Sequence, residues 1–155
     1  MRILELQKTI ADLLRADEEL LQGGCEVFEE DTRTVYDEAR QCIQEGKVAV
    51  VVMTPNLERS GSGVPAEAGL PFEGDVVVRC LENPPVAAAQ GSTMRALDAA
   101  EIVAHVLDGE VLEWRSIRQT SDRREAIFTA TVTFGLNSTL TRTALTTQPP
   151  NHLTT

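Results

Sequence analysis

Apolar residues Ile3, Leu6, Ile10, Leu13, Leu14, Leu20 and Leu21 recur every three or four positions, with Glu5, Lys8, Asp12, Arg15, Glu18 and Glu19 between them. That spacing predicts one amphipathic helix from Ile3 to Leu21, stopped by Gly23-Gly24. Cys25 to Glu29 can form a short strand, after which Glu29-Glu30-Asp31 is too acidic to bury. Thr34 followed by Asp37 has the spacing of a capping box and opens a second helix, with Val35, Ala39, Cys42 and Ile43 as its apolar stripe and Gly46 as its end. The run Lys47 to Thr54 is β-branched and apolar at successive positions, the signature of a strand buried on both faces, and Pro55 closes it.

From Asn56 to Pro71 the chain is rich in glycine and proline with no apolar period, which predicts a loop of sixteen residues. A loop of that length in a compact domain either has a function, becoming ordered against a partner, or is simply disordered. A second strand covers Phe72 to Leu81 and is broken by Glu82-Asn83-Pro84-Pro85, where the prolines force an extended exit. Ser92 is the expected N-cap of a helix running to about Leu107, with Ala96, Ala99, Ala100, Val103, Val106 and Leu107 on its sheet-facing side. Val111 to Thr120 reads as a strand with a polar side, and Ser121 to Arg124 as a hairpin turn. Ala126, Phe128, Ala130, Val132, Phe134 and Leu136 then alternate with Ile127, Thr129, Thr131 and Thr133, so the last strand has a core face and a solvated face. The predicted class is α+β: a mainly antiparallel sheet of four or so strands with helices packed on it. Residues 1–136 make one domain, and 137–155 a polar tail that is flexible or ordered by a partner.

Charge sharpens this outline. The net charge is −10. Residues 1–46 hold twelve acids against five bases, whereas 115–124 carry Arg115, Arg118, Arg123 and Arg124 with only Asp122 against them. An acidic surface repels phosphate, which argues against nucleic-acid binding over the whole domain but suits a protein that DNA must slide past. The arginine segment is either a solvated strand and turn or a salt-bridging contact to an acidic neighbouring subunit. No uncharged apolar window reaches the roughly 18 residues of a membrane span, and the charged N-terminus is unlike a secretory leader, so the expectation is a protein made in the cytoplasm with no membrane partner.

The familiar chemical constellations are missing from the sequence. Gly61-Ser62-Gly63 lacks the lysine of a phosphate loop, and Ser60 and Ser62 lack a strand-to-helix elbow. Cys25, Cys42 and Cys80 are widely spaced and read as buried free thiols; His105 has no nucleophile to serve, and Asp75, Glu82, Asp98 and Glu101 match no metal signature. The expectation is no enzyme activity, no cofactor and no metal.

One resemblance ties the pattern together. The N-terminal amphipathic helix, the strand ending at Thr54-Pro55, the Gly/Pro-rich loop, the strand "VVVRCLENPPV", the helix "STMRALDAAEIVAHVLDG" and the hairpin "VLEWRSIRQTSDRREAIFTATVTF" resemble, over about residues 1–136, the tail-terminator and minor tail proteins of long-tailed bacteriophages and prophages. The resemblance implies a structural virion protein that forms a ring, commonly a hexamer, on the head-proximal end of the tail tube. There it stops tube growth and offers a head-joining surface. Its implied partners are further copies of itself, the tail tube protein and head-tail connector or neck proteins, with DNA only passing through the lumen. A ring needs two different patches that fit each other. The candidates are Glu29, Glu30 and Asp31 on the acidic side, Arg115, Arg118, Arg123 and Arg124 on the basic side, and Arg59, Glu82 and Asn83 at the loop and strand end. Competing readings are another neck, connector or tail-completion protein, a non-viral α+β binding module, and a small hydrolase acting through Cys80 or His105.

Overall fold

The structure is a computed structural model that describes residues 3–30, 33–59 and 70–140, with the backbone alone for residues 59, 70–72 and 137–140. Its elements in chain order are α1 (Ile3–Arg15), α2 (Glu18–Gln22), β1 (Glu26–Glu29), α3 (Val35–Gln44), β2 (Ala49–Val52), β3 (Asn56–Arg59), β4 (Leu70–Glu82), α4 (Pro84–Ala89), α5 (Ala96–Leu107), β5 (Leu112–Asp122) and β6 (Ile127–Leu140). The strands form one six-stranded sheet in the order β1-β2-β4-β6-β5, with β3 also paired to β4. The β1–β2 pair is parallel and every other pair antiparallel. The sheet is therefore mixed but mostly antiparallel, with six strands where the sequence predicts about four.

Period-2 burial assigns the two faces. Val50 and Val52 of β2, Val76, Val78 and Cys80 of β4, and Ala130, Val132, Phe134 and Leu136 of β6 pack in one core with Leu6, Ile10, Ala11 and Leu14 of α1 and Ala96, Ala99, Ala100, Val103 and Leu107 of α5. The alanines of α5 let its backbone lie close to the strands. On the opposite face a smaller core joins Val35, Ala39, Cys42 and Ile43 of α3 to Ala49 and Val51. Over β4, β6 and β5 that second face carries Glu73, Asp75 and Arg79, which are exposed, and Thr129, Thr131 and Thr133, which are half-buried. As expected, β2 is buried on both faces.

Several expectations need correction. The N-terminal helix breaks in two because Asp17 leaves the helical path and its carboxylate accepts the Leu20 N–H, capping α2. Thr34 is the N-cap residue of α3 but makes no cap bond; its hydroxyl donates to Glu38 Oε1 at 2.6 Å instead. The predicted loop 56–71 is a strand at both ends. Asn56–Arg59 pairs with Phe72–Asp75 and continues the line of β2 along β4, after an interruption where Thr54 N–H donates to Glu30 and Pro55 has no donor. Residues 60–69 of that loop lie outside the described residues. The prolines after Glu82 start a helix rather than prolong the strand: Pro84 and Pro85 occupy the first turn of α4, where a missing N–H costs nothing, and Asn83 Oδ1 caps it through Val86 N–H. Ser92 does not cap α5, since its hydroxyl donates to the Gly46 carbonyl at 2.7 Å; Asp98 instead accepts the Arg95 N–H at the start of that helix. The hairpin turn falls at 123–126, placing Ala126 at φ 55° instead of in the core. The polar tail begins later than expected, because Asn137–Leu140 still pair with Leu70–Glu73, and 141–155 are outside the described residues.

Cys25, Cys42 and Cys80 are buried and free. Burial pushes the Cys25 thiol up to about 11 and that of Cys42 up to about 12, and raises Cys80 further still. Native protein at about pH 8 should therefore resist alkylation by iodoacetamide, while denatured protein takes up three labels in intact-mass analysis. Rapid labelling of the native chain would contradict this packing.

Candidate functional site

The strand order puts β1 and β5 at opposite edges of the sheet, and this decides where the charged candidates lie. Glu29 ends β1 and pairs with Arg15 at 3.1 Å. Glu30 follows it, accepting the Tyr36 hydroxyl at 2.6 Å and Thr54 N–H at 3.0 Å. Asp31 falls outside the described residues. Arg115, Arg118, Arg123 and Arg124 occupy β5 and its turn, all exposed. Arg115 sits at an irregularity in the β5–β6 register, between Trp114 and Ser116. Its guanidinium reaches over Gly135 and pairs with Glu113 at 3.4 Å. The acidic and basic groups are thus held apart, one at each edge.

Glu82 and Asn83 belong to neither group. Glu82 is 1% exposed and has no surface to offer a neighbouring subunit. Its carboxylate accepts from Arg95 Nε at 3.0 and 3.2 Å and from Ala96 N–H at 3.0 Å, binding the end of β4 to the first turn of α5. Asn83 is occupied as the α4 cap. Arg59 lies on β3, at the start of the segment leading to residue 60.

Burial would raise the Glu30 carboxyl, but the bonds from Tyr36 and Thr54 together with nearby Arg79 outweigh it and hold the pKa below the ordinary carboxylate value. A depressed folded-state pKa contributes stability above the unfolded value, and that contribution is lost as pH falls through the folded one. A Glu30→Gln variant should therefore be less stable than the parent at about pH 7, with the gap in urea-unfolding midpoints narrowing as pH falls below the ordinary carboxylate range. A gap independent of pH would contradict the assignment.

Among the described residues, concavities lie beside these elements. One, about 600 Å³, runs between α2 and α5 and is lined by Asp17, Glu19, Met94, Asp98, Glu101 and His105. A second, about 430 Å³, lies on the open sheet face among Asn56, Glu58, Glu73, Asp75 and Arg115. A third, about 320 Å³, is at the β1 edge under α1 and α2, with Leu14, Leu20, Cys25, Val27 and Phe28 in its lining. Among the described residues no group of three or more His, Cys, Asp or Glu is placed to hold a metal ion. Nor, among them, is any helix long and apolar enough to cross a membrane.

Sequence reasoning gave Trp114 no role and put Leu21 on the apolar stripe of the first helix; they are 47% and 59% exposed. Trp114 shares the helix-covered face with its register partner Phe134, yet at the edge strand it is left about half exposed among the described residues. A single tryptophan within a run as polar as "LEWRSIRQ" was the available signal.

No protein-family model and no curated protein matches the chain. Among solved structures, it is similar to a chain from the virion of a native gene transfer agent particle, with a TM-score of 0.59 and 16% identity. The match covers 85% of this chain and 92% of that one. At that identity the likeness is one of fold.

Proposed function

We propose that this chain is a structural protein of a phage-like virion, acting by assembly and without catalysis, and that it closes the head-proximal end of the tail tube as a ring, commonly of six copies. The observation carrying the reading is the fold shared with a gene transfer agent virion chain over 92% of that chain's length. The resemblance of the sequence to tail terminators supplies the station in the particle. Two features of the molecule support a ring. Side-by-side packing of identical subunits joins two different patches, and the acidic and basic groups occupy opposite edges of one sheet. The net charge of −10 disfavours adhesion of DNA passing through a lumen. On this reading the tail tube protein lies on one side of the ring and the neck proteins on the other.

Particles assembled without this protein test the station. A terminator predicts tails of uncontrolled length lacking heads when imaged by electron microscopy. Tails of normal length without heads would assign the chain to a neck or connector position instead, and normal headed particles would overturn both.

A further inference from the structure

Resting on the ring reading, we infer that the subunit contact is made by Trp114 at the β5 edge of one copy, seated in the apolar groove that α1, α2 and β1 form at the β1 edge of the next. The groove holds about 320 Å³, is lined by Leu14, Leu20, Leu21, Cys25, Val27 and Phe28, and is open on its outer side, where Leu21 is 59% exposed. Trp114 is 47% exposed, and no other tryptophan occurs in the chain. Both patches belong to the same face of the sheet. Trp114 is register-paired with Phe134, and Leu14, Leu20 and Val27 pack in the same core as Phe134. Copies placed edge to edge with a common face outward would therefore bring the indole toward the groove.

Charge favours the same pairing. The strand carrying Trp114 also carries Arg115 and Arg118, with Arg123 and Arg124 at its turn, while the groove, lined by Glu26, which also pairs with Lys47, lies within the first 46 residues, where twelve acids stand against five bases. Simple continuation of the sheet is disfavoured at both edges. The outward-facing Val27 carbonyl is taken by Arg15 Nη2 at 3.2 Å, and β5 is irregular at Arg115. That leaves a side-chain contact with an aromatic anchor, the type of residue that dominates interface energetics. Arg15, held in place by Asp12 and Glu29, also lines the groove and offers the indole a flat cationic partner.

Two variants divide the interface between them. Trp114→Ala removes the anchor and leaves the groove; Leu21→Lys spoils the groove, places a charge against the arginines, and suits the end of α2. Both positions are substantially exposed, so each variant should keep the far-ultraviolet circular dichroism of the parent. Sedimentation should show the parent associating with rising concentration while its tryptophan emission moves to shorter wavelength. Each variant alone should associate roughly 100-fold more weakly. Mixed together they retain one good patch each, so they should form a one-to-one pair, with the emission of Trp114 on the Leu21→Lys chain shifting on mixing. If the parent associates while its emission stays that of a hydrated indole, or the variants associate as it does, this interface is overturned and the ring reading stands. A parent that remains monomeric at every concentration overturns the ring itself.

Discussion

Replacing Glu82 by alanine is expected to destabilise the protein by about 3 kcal/mol, read as a lower urea midpoint with unchanged slope. The carboxylate is buried at the end of β4 and holds both Arg95 Nε and Ala96 N–H. Truncation would leave a buried helix-terminal donor without a partner and a void beside it, and bonds to charged groups contribute about 1.5–3 kcal/mol each. Arg95 is half-exposed and can turn to water, so most of the loss comes from Ala96 N–H and the void. Glu82→Gln retains one acceptor and should cost about half as much. A change under about 0.5 kcal/mol for alanine would mean that Glu82 is a surface residue after all.

The second large effect is expected at Gly74. This residue lies in β4 between its partners Leu57 of β3 and Leu136 of β6. A Cβ there would run into the backbone carbonyl of Asn56 and come within 2.9 Å of Leu57 Cδ2. Because the nearest atom is backbone, the strain cannot be relieved by turning a side chain; β3 must move. Gly74→Val should cost about 2–3 kcal/mol and raise hydrogen exchange at 56–59 while leaving the amides of β2 protected. Uniform loss of protection, or none, would contradict the view that β3 is a separate piece laid along the exposed end of β4.

These two residues also mark where sequence reading succeeded and failed. The period-2 alternation of β6, the doubly buried β2 and the alanine face of α5 were legible because burial alone dictates those patterns. Glu82 was misread for want of following the same rule one step further. Val76, Val78 and Cys80 face the core, so position 82 must too, and an acid there needed a buried partner. The proline pair drew attention away from that, although Pro84 and Pro85 fit a first helical turn as well as an extended exit. Asn56–Arg59 gave no strand signal of its own, being four residues whose pairing is fixed by β4 and not by local propensity. The opposed charge groups were visible in the sequence. Their separation to the two sheet edges was not, since it depends on the order β1-β2-β4-β6-β5, in which β6 pairs with β4 and leaves β5 at the edge opposite β1.

The central claim, a ring at the head-proximal end of a virion tail, is tested most directly by gold-labelled antibody against this chain on purified particles. The account predicts label at the head-tail junction of intact particles and at one end of tails detached from their heads. Label on the capsid shell or the distal tail tip, or particles washed free of the protein, would contradict it.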